Sequence, residues 1–215
     1  MCPDNPAFYV ALGYIYHFEF TLGIGKSPRE SIENGIEMAQ KAIAIDDSMP
    51  GAHALLSWLY SYKREYDKAI AEAERLVALD PGWDFSYATY AKSLSVAGRS
   101  EEAIPMFQKA IRLNPFGGSI LLDFGVALRE VGRYEEAVSV FKKVLQRAPN
   151  NFFAHIHLSG AYGLMGREKE ARAEAEEVIK LNPKFSLESY AKMLPYKNQI
   201  QTDRYIDALR KAGLK

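Results

Sequence analysis

Three groups of residues in this 215-residue chain have the types that chemistry uses. The first is Gly23-Ile24-Gly25-Lys26-Ser27, with the composition of a loop that cradles phosphate on backbone N–H groups. The full pattern needs a glycine at position 20, which is Phe20, and a strand before the loop. Here the preceding spacing predicts a helix, so the run reads as a linker ending in a helix cap. A small-molecule or nucleotide sensor built on residues 23–27 stands as the alternative.

The second group is the histidines. His155 and His157 are two apart on an expected helix and point in different directions. His53 and His155 occupy one recurring position, which predicts a shared packing role rather than metal ligation. The third group is the acidic pairs Glu101-Glu102 and Glu135-Glu136. They fall at expected helix starts, where they favour the positive end of the helix dipole over any acid–base role. Arg75, Arg112, Lys142 and Lys143 read as a solvated face. Cys2 is the one cysteine and has no partner in sequence. No catalytic residue, metal or cofactor is expected.

The elements that carry these residues follow a period. Prolines fall at Pro81, Pro115, Pro149 and Pro183, each 34 residues after the last. Ala69, Ala103, Ala137 and Ala171 keep the same step, as do Gly98, Gly132 and Gly166. Apolar residues recur at helical spacing on both sides of each glycine, so one unit is two amphipathic helices. Glycine supplies the positive φ of the turn between them. Alanine lets the helices approach, and proline ends the second helix. The unit at 50–83 has Arg64 in place of glycine, which predicts a tighter or differently shaped turn.

These residues resemble the tetratricopeptide repeat (TPR), as in Tyr87, Tyr90, Ala91, Leu94, Ala103, Phe107 and Pro115. The resemblance implies an all-α TPR solenoid, a right-handed superhelix of antiparallel hairpins with C-terminal capping helices. Regular repeats are expected at 50–83, 84–117, 118–151 and 152–185. An irregular repeat at 6–49 places Gly13 and Gly35 ten residues further apart than a regular unit would, read as an inserted loop around residues 21–26. Ser27-Pro28-Arg29-Glu30 then restarts a helix with a cap. Residues 186–215 are expected to cap the array through Leu187, Tyr190, Leu194, Tyr205 and Leu209. Pro3 falls at the closing-proline position of an earlier repeat, which predicts a longer parent chain.

The tail motifs Phe185-Ser186-Leu187-Glu188 and Leu194-Pro195-Tyr196-Lys197, with Ala208-Leu209-Arg210-Lys211-Ala212-Gly213-Leu214, carry a narrower resemblance. The chain is similar to the C-terminal repeat region of bacterial class III adenylate/guanylate cyclases and related multidomain signalling proteins. That implies a regulatory or assembly module and no cyclase activity, because the catalytic domain is absent.

Composition bounds the partners. Lys+Arg and Asp+Glu are both 27, so the net charge is zero, which argues against nucleic acid and against a polybasic membrane contact. No apolar run reaches membrane-spanning length, and the first residues lack the form of a secretion signal. The expected setting is the cytoplasm, with the periplasmic side of a membrane-anchored parent as the alternative. A protein or peptide is the expected partner, including a neighbouring domain of the parent, and homo-oligomers remain open. In this family the first helix of each repeat lines the concave surface. That implies a groove formed by Tyr14, His17, Trp58, Tyr62, Phe85, Lys92, Val126 and Arg129. Lys92 and Arg129 would orient an acidic end, while the asparagine of a chaperone-type carboxylate clamp is missing. The same aromatics could instead pack between adjacent first helices.

Overall fold

The computed structural model describes residues 5–25 and 27–215, so Cys2, Pro3 and Lys26 lie outside it. Among the described residues there are twelve helices and no strand. Ten form five consecutive hairpins: α1 (Pro6–Leu22) with α2 (Pro28–Ile45), α3 (Pro50–Tyr62) with α4 (Tyr66–Leu79), α5 (Asp84–Val96) with α6 (Ser100–Leu113), α7 (Gly118–Glu130) with α8 (Tyr134–Arg147), and α9 (Phe152–Leu164) with α10 (Glu168–Leu181). Two more follow, α11 (Leu187–Met193) and α12 (Gln199–Lys211). The chain is thus an all-α solenoid in which each hairpin packs on the next.

The repeating alanines sit where hairpin helices meet. Ala69, Ala103 and Ala137 are wholly buried, and Ala171 nearly so. At Gly125 an added Cβ would fall 2.4 Å from the Phe141 ring, so this first helix can lie on its partner only without a side chain there. Each hairpin turn closes with the same pair of bonds. The Gly98 and Arg99 N–H groups donate to Ser95 and Leu94, and those of Gly132 and Arg133 donate to Arg129 and Leu128.

Two expectations are corrected. The Arg64 turn is not differently shaped: Arg64 takes φ 60°, and Arg64 and Glu65 make the same two bonds, to Ser61 and Tyr60. Arginine here adopts the left-handed conformation that its neighbours assign to glycine, a strained choice for a residue with a Cβ. The extra length of the first hairpin is also not mainly loop. α1 and α2 are each four residues longer than α3 and α4, and the turn between them is two longer. The insertion therefore adds about one helical turn to each arm. Ser27 caps α2 as expected, its hydroxyl accepting from the Glu30 N–H.

The C-terminal segment does two jobs. α12 lies along α9, where Gly160 and Gly163 admit Tyr205 and Ala208 at close range. Tyr205, Leu209 and Leu214 are buried there, and the Leu187 N–H donates to the Lys215 carbonyl, tying α11 to the chain end. Residues 194–198, between α11 and α12, instead cross to the other hairpins. The Lys197 N–H donates to the Val96 carbonyl at 2.9 Å, and the Tyr66 hydroxyl donates to the Pro195 carbonyl at 2.9 Å. Tyr190 and Leu194, expected to cover the last repeat, face the concave side with this strap.

Candidate functional site

First helices lie side by side, so the residues on their inner rows form one wall. An aromatic run begins it. Trp58 meets Tyr14 edge-on at 6.0 Å and Phe85 edge-on at 5.3 Å, and His17 lies 5.1 Å from its ring. Tyr62 packs against His17 and, at 4.6 Å, against Phe20. These rings therefore pack between adjacent first helices, yet Trp58, Tyr62 and Phe85 each stay partly exposed. Trp83, its ring tilted against Phe85 at 4.5 Å and open to solvent, extends the run and was not anticipated; its signal was only that it is one of two tryptophans.

Lys92 stands at the middle of the wall, half-exposed, with its Nζ 3.3 Å from the Asp123 carboxylate. Asp123 holds its pKa above the ordinary lysine value, outweighing partial desolvation, so the ammonium keeps its charge. His17 is buried, and its Nδ1 has no partner among the described residues. Burial, with Lys92 nearby, lowers its pKa and keeps the ring neutral.

Arg129 does not stand in the open groove. Its guanidinium is buried, bonds Glu130 at 2.7 Å and lies 3.6 Å from the centre of the Tyr205 ring. Its charge holds α12 in place and is not offered to a ligand. A network continues from it. His157 Nδ1 accepts from the Tyr205 hydroxyl at 3.1 Å and faces an Arg129 N–H at 3.4 Å, and Tyr190 meets Tyr205 at 3.4 Å. Both neighbours of Nδ1 are donors, so the ring must be neutral; burial, Arg129 and Lys92 all push its pKa well down.

Between the wall and the tail lies a cavity of about 680 Å³, bordered by Tyr62, Lys92, Val126, Phe153 and Tyr190 among others. A smaller cavity of about 130 Å³ adjoins it at His17, Trp58, Tyr62, Lys92 and Pro195. A third, about 450 Å³, lies at Phe20, Tyr62, Arg64, Lys192 and Pro195. Tyr62 and Pro195 border all three, so the strap divides one concave space. The structure thus brings Tyr14, His17, Trp58, Tyr62, Phe85, Lys92 and Val126 to one face. It replaces Arg129 with cations that spacing alone did not single out, Arg64, Lys184 and Lys192.

The other candidate chemistry is engaged internally. The Gly23 N–H donates to Phe20, and those of Ile24 and Gly25 to Glu19, so the backbone donors that would cradle a phosphate close the end of α1. His53 and His155 share one arrangement: each Nδ1 lies 2.6 Å from a carboxylate, Glu72 or Glu174, and each Nε2 lies 2.9 Å from a carbonyl, Asp47 or Pro149. Among the described residues no group of three or more His, Cys, Asp or Glu side chains is placed to hold a metal ion, and no helix is long and apolar enough to cross a membrane.

No curated protein matches the chain. Among solved structures it is similar to TTC0263, a thermophilic TPR protein of Thermus thermophilus, with a TM-score of 0.72, 19% identity, and coverage of 95% of this chain and 99% of that one. It is similar to PilW, a type IV pilus biogenesis factor, with a TM-score of 0.69, 15% identity and coverage of 92% and 89%. YrrB, a TPR protein with an unusual peptide-binding site, matches with a TM-score of 0.58, 20% identity and coverage of 88% and 92%. At these identities the likeness is one of fold. Tetratricopeptide-repeat models match residues 50–82, 91–152 and 128–194, together more than half of the chain. With five stacked helical hairpins and those matches, the chain belongs to the tetratricopeptide-repeat family.

Proposed function

We propose that the concave face binds an extended or helical apolar segment of a protein partner, one that carries an acidic end. The observation that carries this reading is the aromatic-lined cavity of about 680 Å³ with an excess of positive charge at its edges. Lys92 and Lys184 border it against Asp123 alone, and Arg64 and Lys192 border the adjoining space. An apolar body there would desolvate Tyr62, Phe153 and Tyr190, with Trp58 in the adjoining cavity, the kind of ring that dominates interface energies. An acidic group would find Lys92 and the rim cations. The unpartnered Nδ1 of His17 borders on the adjoining cavity, where a polar group of the ligand would complete its hydrogen bonding.

The strap at 194–198 already occupies part of this face, so a partner either lies beside it or displaces it. The tail motifs further support the reading of this module as the regulatory or assembly region of a larger bacterial signalling protein similar to the class III cyclases. Within that reading the module works without catalysis and in the cytoplasm, where a lone cysteine needs no oxidising partner.

Selection from a random peptide library tests the proposal. Enriched peptides should combine aromatic or aliphatic residues with an acidic end. Trp58→Ala should weaken them by about 2 kcal/mol or more, while Lys143→Ala, on the exposed outer side, leaves affinity unchanged. Lys109 is a poorer control because its Nζ covers the Tyr87 ring at 4.1 Å. Equal losses in the two variants, or enrichment of basic peptides, would overturn the assignment.

A further inference from the structure

We infer that the strap at 194–198 is an internal ligand of the concave groove, hinged at Asn198, which lifts off before a partner's extended segment lies in its place. The inference rests on the concave face being the binding site proposed above, and it adds how that site is kept closed. The strap is held as a groove holds an extended peptide, through its backbone. The Pro195 carbonyl accepts from the Tyr66 hydroxyl at 2.9 Å, the Lys197 N–H donates to the Val96 carbonyl at 2.9 Å, and the Leu194 carbonyl faces an Arg64 N–H at 3.5 Å. All three holds come from the second and third hairpins, and none reads a side chain of the strap. A segment of another sequence could make the same three.

The joints on either side let the strap move while the rest stays seated. α11 and α12 carry their own caps: the Ser186 hydroxyl accepts from the Ser189 N–H, and the Asn198 side chain accepts from the Gln201 N–H. α12 is fixed independently, with Tyr205 and Leu209 buried and the Gln201 amide donating to the Glu130 carbonyl at 2.8 Å. Of the seven residues of α11 only Leu187 is buried, and its N–H donates to the Lys215 carbonyl. α11 can therefore pivot at Leu187 and carry the strap away, giving up the long contact between the Tyr190 and Tyr205 hydroxyls at 3.4 Å.

Lifting the strap changes the groove in two ways. Pro195 borders the cavities of about 130, 450 and 680 Å³, so its departure opens them into one space. It also vacates ground beside cations that the strap does not neutralise. Leu194-Pro195-Tyr196-Lys197-Asn198 contains no acidic residue. The Tyr196 hydroxyl stays neutral, because burial raises its pKa against the pull of Arg129 and Lys92. A partner segment bearing a carboxylate would gain a charged bond to Lys92 or Arg64 that the strap cannot make.

Fluorescence anisotropy with a labelled peptide of residues 190–199 tests this on two full-length chains. One is unaltered; the other carries Leu194→Gly, Pro195→Ser, Tyr196→Gly and Lys197→Ser, which keep the length of the strap and remove its side chains. The substituted chain should bind the peptide about tenfold or more tightly than the unaltered one, because apparent affinity falls with the fraction of open sites. Equal affinity for the two chains overturns the inference. So does a lack of binding by a substituted chain whose helix content is unchanged by circular dichroism. Hydrogen exchange on the unaltered chain decides without any substitution. The Lys197 N–H should exchange on the order of a hundred times faster than those of Tyr205 and Leu209. Equal protection would mean that the strap opens only with α12, and overturns the inference. The same peptide with Lys197→Glu separates the strap from the reading it rests on. Tighter binding of that peptide to the substituted chain supports both, whereas binding no tighter supports the strap and overturns the acidic end of the partner.

Discussion

The Arg129 guanidinium lies over Tyr205 with its central carbon 3.6 Å from the ring centre, joining the fourth hairpin to α12. Glu130 completes the contact on one side, and the Gln201 amide donates to the Glu130 carbonyl at 2.8 Å on the other. A charge so deeply buried is tolerated only while its partners are in place. The capping helix and the concave wall are therefore coupled through one arginine.

Gly160→Ala should loosen that cap. An added Cβ would fall 2.0 Å from the buried Tyr205 ring. Overpacking of this kind costs about 1–3 kcal/mol. Hydrogen exchange should show lost protection over α12, with α1 through α4 unchanged. Unaltered protection in α12 would mean that the two helices slide apart at little cost.

Arg64→Gly should stabilise the protein by about 0.5–1 kcal/mol, because it removes a left-handed conformation from a residue with a Cβ. Part of the gain is offset by the greater freedom of glycine in the unfolded chain. A chemical denaturation midpoint measures it. A loss of stability would show that the long contact from Arg64 to the Leu194 carbonyl, 3.5 Å, matters more than the turn.

Tyr66→Phe tests the strap. The Tyr66 hydroxyl holds the Pro195 carbonyl at 2.9 Å, and losing one such bond costs about 1 kcal/mol. Proteolytic cutting between Leu194 and Asn198 should quicken while the hairpins resist. Unchanged cutting would place the hold on the strap in the Lys197 to Val96 bond and in packing alone.

Much of this architecture was legible because period and physics coincide. A proline every 34 residues and alanines in step state that two helices meet closely once per unit, and the buried Ala103 and Ala137 lie at that meeting. His53 and His155 could be matched by register alone. What register cannot carry is contact between distant units. Arg129 occupies an inner-wall position, and only the return of α12 explains why it is buried. Pro195 reads in sequence as a helix stop, but its carbonyl is held by Tyr66, 129 residues earlier. Gly160 and Gly163 held a readable signal: two small residues on one helix face mark a close approach. The extra residues near Gly25 were read as loop because glycine suggests a turn, whereas most of the added length is helical.

Two histidines should give the protein opposite responses to pH. His53 faces acceptors on both ring nitrogens, so its charged form satisfies both. Burial pulls its pKa down, but the Glu72 carboxylate and the Asp47 carbonyl outweigh this and the net shift is upward from 6.5. A raised folded pKa means stabilisation that is complete below the unfolded value and is lost as pH climbs through the folded one. His157 is the reverse. It is neutral, faces the donors Arg129 and Tyr205, and its pKa is driven well below 6.5 by burial and then by Arg129 and Lys92. Its contribution is present above the unfolded pKa and is lost as pH falls through the folded value, because the unfolded chain takes up a proton that the folded one refuses. His17, lowered by burial and Lys92, acts in the same sense. Thermal midpoints measured from about pH 5 to about pH 8 separate the two effects. Glu72→Gln should cost about 1–2 kcal/mol at the acid end and progressively less as pH rises through the folded pKa of His53. His157→Gln keeps an oxygen to accept from Arg129 and Tyr205 but cannot titrate, so it should flatten the acid limb of the curve. An acid limb equally steep in that variant would assign the sensitivity to other groups.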